Sequence, residues 1–493
     1  MKGGAGRCRN CRPDLIMKKI WIEGRWTDTP EHLEVKSPYD GSLIDTVSYA
    51  DVTYVERAAN SARRGAEQMR RLSAAHRSEI LLNTARIMQR RFDEFALTLT
   101  KEVGKPLRES QNEVDRAIQT ITIAAEEAKR IYGQTVPFDA TAGAENKRGY
   151  YMRVPVGIVL AITPFNAPLN LAAHKVAPAL AAGNAVILKP ASATPLADTM
   201  LVEALLEAGL PPEGINLIIG SGSAVGDALV AHPAVNMVTF TGSPEVGEHI
   251  MHIAGLKKLT MELGSSSCVI AMDDADIDAV ARKVRVAGYA NAGQVCISVQ
   301  RVIVHEKAYD KFIDKLVPMI GAMNIGDPLD ESVDMGPMIT ETEARRVEQW
   351  IQEAVVAGAR CMMPVKRSGA LLSPTVLADV TPGMKVWDKE VFGPLVAVAP
   401  CRDMEHAVEL ANSTTYGLQA GVFTNRLDDV WQAIEGIDVG GIMINEAPSF
   451  RIDAMPYGGV KLSGIGREGP RYAVEEMTDM KLVCFDIGGG RKP

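Results

Sequence analysis

The segment NAGQVCIS, residues 291–298, contains a cysteine that could act as a nucleophile. Cys296 follows a turn of small residues and lies in an apolar run. A thiolate attacks electrophilic carbon readily, but free cysteine is also among the residue types most often buried in protein cores. The segment alone favours a packed thiol, so the rest of the chain has to decide between the two interpretations.

Two further segments carry polar groups where apolar residues are expected. Glu262 ends an apolar strand in the segment TMELGSSS. An ionised carboxylate at such a position destabilises the fold unless it lies beside a ligand or has the raised pKa of a general base. In ITPFNAPLNLAAHK, Asn166, Asn170 and His174 recur every four residues, on one face of a predicted apolar helix. Because unpaired polar groups destabilise a core, this face is predicted to line a cavity. A hydrogen-bonded network inside the core is the alternative.

Three glycine- or lysine-containing segments suggest nucleotide binding. Lys189 ends an apolar strand, where ligands of parallel sheets bind, and could donate to ribose or phosphate oxygens. In FTGSPEVG, Gly242, Ser243 and Gly247 open a helix whose free N–H groups suit a pyrophosphate. The spacing is not the G-x-G-x-x-G fingerprint. Conversely, GSGSAVG at 220–226 resembles that fingerprint with one residue too many, and is predicted to be a decoy as a pyrophosphate loop.

The elements that position these residues follow from hydrophobic periodicity. Residues 51–133 predict amphipathic helices. From Val156 onward, VGIVLAIT, AVILKP, NLIIG, MVTFTG and LTMELG predict strands buried on both faces, alternating with helices, one of them capped and opened by Thr194–Pro195. This alternation predicts a doubly wound dinucleotide-binding domain. It starts again after Gly264 and predicts a second α/β domain.

Bulk composition excludes several classes of protein. A chain of 493 residues is longer than one hydrophobic core usually organises, so two or three domains are expected. A net charge of −8 argues against a nucleic-acid binder. Seven scattered cysteines indicate reduced thiols in a cytoplasmic enzyme. The apolar stretch 169–188 contains charged residues and a proline, so no membrane span is expected. Residues 1–16 are predicted to be a disordered extension, and the Cys8–Cys11 pair lacks the partners of a metal site.

In order and spacing, these motifs resemble the aldehyde dehydrogenase superfamily over about residues 20–485, together with KEVFGPL at 389–395 and MPYGGVKLSGIGREG at 455–469. The resemblance implies that Cys296 attacks the aldehyde as a thiolate. It implies that the Asn166 amide and the N–H of Cys296 stabilise the oxyanion, and that Glu262 activates the water that hydrolyses the thioester. Cys296 is therefore predicted to be the nucleophile.

The resemblance also implies NAD or NADP as cofactor. Its binding positions would be Ile162, Thr163, Pro164, Phe165, Lys189, Ser192, Gly222, Gly226, Phe240, Gly242, Ser243, Gly247, Leu263, Glu390 and Phe392. NAD-preferring relatives often carry glutamate where Ser192 stands, so this chain leaves NADP open. Ser265 and Ser266 replace the usual Gly-Lys beside the base, a change whose effect the sequence does not predict.

The implied substrate is a short aldehyde with a hydroxyl or anionic group. Its predicted contacts are Asn170, His174, Arg116, Val295, Ile297 and Arg451. Asn170 and His174 make the tunnel polar, and Arg116 and Arg451 resemble anion-binding arginines of relatives, although Val295 stands where those relatives have a third. Candidates are lactaldehyde, a semialdehyde, phosphonoacetaldehyde and glyceraldehyde 3-phosphate. The alternative is that both arginines are surface or salt-bridged residues.

The resemblance predicts the domain organisation and leaves three other functions open. Residues 17–136 and 156–263 would bind the dinucleotide, 264–472 would form the catalytic domain, and 137–155 with 478–490 would form an oligomerisation β-segment of a homodimer or homotetramer. A coenzyme A-acylating enzyme is disfavoured because Glu262 is present. A cysteine hydrolase would need a histidine beside Cys296, and a catalytically silent binding protein would not need these residues.

Overall fold

The computed structural model describes residues 18–488. The extension predicted for residues 1–16, the Cys8–Cys11 pair and residues 489–490 of the oligomerisation segment lie outside this range. The helices are α1 Thr53–Arg71, α2 Ala74–Arg90, α3 Phe92–Val103, α4 Leu107–Glu127, α5 Pro168–Ala181, α6 Leu196–Glu207, α7 Asp227–Ala231, α8 Pro244–Ala254, α9 Ile277–Tyr289, α10 Glu306–Gly321, α11 Glu341–Val356, α12 Lys385–Asp388, α13 Met404–Asn412, α14 Leu427–Gly436 and α15 Pro470–Glu476.

The strands are β1 Ile20–Ile22, β2 Arg25–Thr27, β3 Glu31–Lys36, β4 Leu43–Tyr49, β5 Gln134–Val136, β6 Lys147–Pro155, β7 Ile158–Ile162, β8 Ala185–Lys189, β9 Ile215–Leu217, β10 Met237–Thr241, β11 Lys258–Glu262, β12 Cys268–Ala271, β13 Arg301–His305, β14 Arg360–Cys361, β15 Arg367–Ser368, β16 Leu371–Leu372, β17 Thr375–Ala378, β18 Leu395–Cys401, β19 Tyr416–Gly417, β20 Gln419–Phe423, β21 Gly441–Ile444, β22 Val460–Lys461, β23 Gly464–Ile465 and β24 Thr478–Asp486.

The first large sheet has eight strands in the order β2-β1-β9-β8-β7-β10-β11-β23. Its five central strands, β9 to β11 in that order, are parallel. Strands β7 and β8 are almost wholly buried, because helices such as α1 and α5 pack on the sheet, and this explains their unbroken apolar sequences. The predicted α/β fold with a parallel cofactor-type sheet is confirmed.

The second large sheet has seven strands in the order β14-β17-β18-β13-β12-β20-β21. It encloses its own hydrophobic core, drawn from residues 268–447, while residues 20–263 supply most of the first core. The chain then returns to the first sheet, where β23 pairs with β11, and Ala473, Val474 and Met477 join the first core. The domain boundaries predicted from the sequence stay a prediction.

A third sheet has the order β24-β6-β5, and its strands β6 and β24 come from the segments predicted to mediate oligomerisation. Strands β6 and β24 pair antiparallel over their whole length, from Thr478 opposite Pro155 to Asp486 opposite Lys147. Strand β24 forms an edge and exposes Met480, Leu482 and Phe485. Within residues 18–488, none of the helices is long and apolar enough to cross a membrane.

Two local predictions about helix starts are wrong. Helix α5 begins at Pro168, a residue favoured in the first turn, so Asn166 lies in the loop before the helix and not on its face. Helix α6 is not capped by the Thr194 side chain, which instead donates to the Phe165 carbonyl. The N–H groups of Leu196 and Ala197 donate to the buried carboxylate of Glu102, contributed by α3.

We expect Glu102→Ala to destabilise the protein by about 2 kcal/mol, because it leaves two buried N–H groups of α6 without acceptors. The measurement is the thermal unfolding midpoint. Glu207→Ala, at the exposed end of the same helix, is the matched control and should change the midpoint little. Equal midpoints for the two variants would show that Glu102 does not serve as the cap.

Candidate active site

The loop that carries Cys296 follows α9 and has a strained backbone. Asn291 and Ala292 have φ values of 48° and 55°, a region that non-glycine residues seldom occupy. The Asn291 N–H donates to the Glu109 carboxylate at 2.8 Å. A Cβ on Gly293 would lie 2.0 Å from the carbonyl oxygen of Gly393, so the loop requires glycine there. Contacts to other segments therefore hold the loop in this conformation.

Cys296 is half-buried, and its Sγ lies 3.0 Å from the hydroxyl of Tyr457. Burial raises the pKa of the Cys296 thiol to about 11, while the Tyr457 hydroxyl and the Arg451 cation oppose this rise in pKa. The Arg451 guanidinium stacks on the Tyr457 ring, 3.6 Å from the ring centre. A proton donor and a cation thus face the sulfur from one side, as a nucleophilic thiolate needs.

Asn166 connects the Cys296 loop with two cavities. The side-chain amide of Asn166 donates to the main-chain carbonyl of Gln294 at 2.9 Å, and the main-chain carbonyl of Asn166 accepts from the Asn291 side chain at 3.1 Å. It lines both a cavity of about 840 Å³, which also exposes Cys296, and a cavity of about 480 Å³. The two cavities are therefore adjacent at Asn166.

Glu262 lies at the end of β11 and is only 3% exposed. Neither carboxylate oxygen has a hydrogen-bond partner among the described residues. Burial, and next the negative charge of Glu468, raise the pKa of Glu262 well above its ordinary value. The carboxylate points towards Gly458, and Glu262 is not among the residues that line either cavity.

A buried ion pair next to Glu262 was not foreseen from the sequence. Lys175 of α5 donates to Glu468 from a fully buried position, and its charge holds the pKa of Glu468 below the ordinary value. The signal in the sequence is Lys175 itself, since a lysine inside the apolar run of α5 must find a counter-charge. Its partner is almost 300 residues away, which sequence spacing does not reveal.

The 840 Å³ cavity is a groove beside Cys296. Of the residues predicted to bind the cofactor, its walls contain Pro164, Phe165, Phe240, Gly242, Ser243, Leu263, Glu390 and Phe392. The rings of Phe165 and Phe392 meet edge to face at 5.9 Å. Glu390 accepts from the Ser265 N–H at 2.9 Å, and burial raises the pKa of its carboxyl to about 7. The backbone N–H of Ser265, the first of the two serines that replace the usual Gly-Lys pair, therefore orients Glu390.

A neighbouring cavity of about 220 Å³ shares Phe240 with the groove. Its walls contain Ile162, Lys189, Gly222 and Gly226. Lys189 is buried without a carboxylate partner in the part of the chain that the structure describes, and burial lowers the pKa of its ammonium to about 8. An unpaired buried cation beside glycine backbone fits the hydroxyl or phosphate oxygens of a nucleotide.

Three predicted cofactor residues lie away from both cavity walls. The Thr163 hydroxyl donates to Asp198 at 2.8 Å, and Gly247 packs against Leu263, where a Cβ would come within 2.5 Å of a methyl group. Ser192 lines a separate surface cleft, and its hydroxyl lies 3.5 Å from the Gly220 carbonyl. Thr163 and Gly247 can therefore shape the cavities without lining them.

The 480 Å³ cavity lies on the other side of Asn166 and is lined by polar residues of α4, α5 and α9. Arg116, Asn170 and Val295 lie on its wall, as predicted for substrate contacts. His174, Arg451 and Ile297 do not, and for His174 and Arg451 the reason is electrostatic. The His174 side chain is fully buried and that of Arg451 is 5% exposed, and they contact Asp453 and Glu468 inside the protein.

Asp453 is the centre of that buried network. It accepts from Arg116 at 2.8 Å, from His174 at 2.9 Å and from Asn170 at 3.4 Å. Burial, and next the Arg451 cation, lower the pKa of His174 to about 4, so a neutral ring donates its Nε2–H to Asp453. Of the two interpretations of this polar face, the hydrogen-bonded network inside the core describes His174. Asn170 fits both interpretations, because it joins the network and also lines the cavity. Asp453 was not predicted from the sequence.

Comparisons with known proteins agree with this geometry. The family model for the aldehyde dehydrogenase family matches residues 26–483. The chain is 45% identical to a 3-sulfolactaldehyde dehydrogenase of Priestia aryabhattai, over 95% of this chain and 98% of that protein. It is 38% identical to a lactaldehyde dehydrogenase of Methanococcus vannielii, over 94% and 99%.

A solved structure has the same fold. It is the glyceraldehyde-3-phosphate dehydrogenase GapN of Methanocaldococcus jannaschii, complexed with NADP. The TM-score is 0.89 at 37% identity, and the alignment covers 92% of this chain and 99% of that one.

We expect Tyr457→Phe to slow the alkylation of Cys296 by iodoacetamide. The hydroxyl lowers the pKa of the thiol, so its removal should shift the rate–pH profile to higher pH and reduce the rate several-fold near pH 8. Cys296→Ser identifies the labelled residue by mass spectrometry, and Tyr132→Phe, at an exposed tyrosine, is the matched control. An unchanged profile would mean that the contact between Tyr457 and Cys296 does not tune the thiol.

Proposed function

The chain belongs to the aldehyde dehydrogenase family, and from this premise we propose that it oxidises a short hydroxylated or anionic aldehyde to the carboxylic acid through a thioester on Cys296. It is an NAD(P)-dependent aldehyde dehydrogenase. The observation that carries the proposal is that Cys296 lines a groove suited to a dinucleotide, and that Asn166 lines both this groove and a polar cavity suited to a small substrate.

The first half of the reaction forms the thioester. The Cys296 thiolate adds to the aldehyde carbon, and the Asn166 amide and the N–H of Cys296 stabilise the negative oxygen. NAD or NADP, when bound, supplies the hydride acceptor. Glu390 and Phe392 on the groove wall would orient that group, and the apolar rings of Phe165 and Phe392 would exclude water.

In the second half, Glu262 takes a proton from the water that hydrolyses the thioester. Its raised pKa means that the base form increases with pH, so hydrolysis should be faster at alkaline pH. The side chain has to turn from Gly458 towards Cys296 to act. The Lys175–Glu468 pair beside it supplies fixed charges, of which Glu468 opposes and Lys175 favours the ionised form of Glu262.

The substrate class follows from the wall of the smaller cavity. Asn112, Asn170 and Arg116 present amide and guanidinium groups, which suit hydroxyl and anionic groups better than a hydrocarbon chain. Two relatives are named for 3-sulfolactaldehyde and lactaldehyde, both short hydroxyaldehydes. Arg451 does not lie on this wall, and its proposed role is to lower the pKa of Cys296 through its cation.

Either cofactor fits the proposal. Ser192 brings no carboxylate that would repel a 2′-phosphate, and Lys189 is a buried cation without a carboxylate partner among residues 18–488. A homo-oligomer formed through the β6–β24 sheet is also proposed, because β24 is an exposed edge strand with apolar side chains. The hydrolase alternative is disfavoured because the partner of the Cys296 sulfur is a tyrosine hydroxyl and not a histidine.

We expect Glu262→Gln to form reduced cofactor in a burst of about one equivalent per site and then to turn over about 10²- to 10⁴-fold more slowly, because acylation remains while hydrolysis loses its base. The measurement is stopped-flow absorbance with NAD and NADP in turn, using lactaldehyde, 3-sulfolactaldehyde, succinate semialdehyde, glyceraldehyde 3-phosphate, phosphonoacetaldehyde, benzaldehyde and hexanal.

Cys296→Ala is the blank, and Glu207→Gln, at an exposed site, is the matched control. Higher kcat/KM for benzaldehyde or hexanal than for all the polar aldehydes would refute the substrate class. Product release that depends on added coenzyme A would favour the acylating alternative.

Leu482→Asp and Met480→Asp should lower the molecular mass in solution, because a carboxylate on the exposed face of β24 disfavours pairing with another subunit. Light scattering after gel filtration measures the mass. Val356→Asp, at an apolar residue exposed on α11, is the control. Retention of the oligomer in both β24 variants would locate the subunit contact elsewhere.

A further inference from the structure

We propose that Arg108 and Arg285, at the mouth of the 480 Å³ cavity, select anionic aldehydes by drawing their charged end towards the cavity, with Asp334 as the counter-charge that limits this attraction. The proposal rests on the aldehyde oxidation proposed above and names a determinant of its substrate class. Neither arginine was among the residues that the sequence analysis associated with the substrate.

The two arginines come from different helices and share one carboxylate. Arg108, in the first turn of α4, contacts Asp334 at 2.9 Å, and Arg285, near the end of α9, contacts it at 3.2 Å. All three residues line the cavity. Their side chains are 52%, 32% and 22% exposed, and the neighbouring Val286 is 66% exposed, so this group lies at the solvent end of the cavity.

The charge around the cavity is unbalanced, and the imbalance lies at the mouth. Elsewhere on the wall, the buried Lys105 pairs with Glu113, and Arg116, whose side chain is 38% exposed, pairs with the buried Asp453, one carboxylate for each cation. At the mouth, two guanidinium groups share the single carboxylate of Asp334. The remaining carboxyl group on the wall, Glu109, has its pKa raised to about 7 by burial, so it is partly neutral near neutral pH. The mouth therefore carries an excess of positive charge.

The length of α4 separates the mouth from Arg116. Arg108 and Arg116 are eight residues apart on α4, which places their Cα atoms about 12 Å apart along the helix axis. A short aldehyde held at Asn166 cannot bring one anionic group to both. We therefore assign Arg116 to contact with the bound substrate, and the mouth pair to the capture of the approaching anion.

Capture of this kind has a distinct kinetic signature. A positive mouth raises the association rate of an anion and leaves a neutral molecule unaffected, and the effect weakens as salt screens the charges. A group that only stabilised the fold would change both substrates alike. The pair to compare is 3-sulfolactaldehyde and lactaldehyde, since the two differ by one sulfonate group.

The experiment measures kcat/KM for both aldehydes at low and high salt. We expect the double variant Arg108→Gln/Arg285→Gln to lose about 10-fold in kcat/KM for 3-sulfolactaldehyde at low salt, to change less than about 2-fold for lactaldehyde, and to lose most of its salt dependence. Asp334→Asn, which removes the counter-charge, should raise kcat/KM for the anion by about 2- to 3-fold. Arg130→Gln, at an exposed ion-paired arginine just beyond α4, is the matched control.

A binding measurement separates failure of this proposal from failure of the proposed function. Propanesulfonate, an unreactive anion, should protect Cys296 from iodoacetamide in the unmodified protein more than propanol does, and the double variant, which keeps Arg116, should reduce this difference. Equal losses for both aldehydes, or protection that is unchanged in the double variant, would overturn the role of the mouth. Absence of turnover with either aldehyde, with protection still reduced in the double variant, would overturn the proposed substrates and leave the anion site standing.

Discussion

Charge has to be created in a place that excludes water, and this constraint governs the structure around Cys296. Burial alone raises the pKa of the thiol and of Glu262, which disfavours the ionised forms that the reaction needs. At the thiol, the Arg451 cation opposes this rise in pKa, whereas at Glu262 the Arg451 and Lys175 cations oppose it and the Glu468 carboxylate adds to it. Arg451 stacks on Tyr457 beside the sulfur, and Lys175 with Glu468 lies beside Glu262. Removing one member of such a pair would leave an uncompensated charge in the core.

The same constraint explains why the arrangement depends on residues that take no part in the reaction. The backbone strain at Asn291 and Ala292 persists because Glu109, Asn166 and Gly393 fix the loop from three other segments. Asp453 holds Arg116, Asn170 and His174 together, so the wall of the 480 Å³ cavity is ordered by a carboxylate behind it. The positions of the side chains that line each cavity thus depend on hydrogen bonds to residues behind the cavity wall.

The sequence predicted the features that are local in the chain. Strand ends, buried runs and small-residue turns placed Cys296, Glu262, Lys189 and Gly242 on the correct elements, because periodicity and turn chemistry act over a few residues. It did not predict the long-range pairs. Lys175 with Glu468, Asp453 with His174 and Glu102 with the start of α6 each join distant segments, and nothing in the spacing identifies the partner. The partners of His174 and Arg451, which are Asp453 and Glu468, were not predicted for the same reason.

These pairings also bear on specificity. Lys105 and Arg116 on the cavity wall are each paired with a carboxylate. Because these two charges are already neutralised, this part of the cavity can bind a polar aldehyde without strongly favouring an anion. Preference for an anion then has to come from the place where matching is incomplete, and that place is the mouth, where Arg108 and Arg285 share Asp334. Because those side chains are partly exposed, substitutions there can change the charge without disturbing the buried network that positions Cys296. Relatives with different aldehydes can therefore share one catalytic core and differ at its entrance.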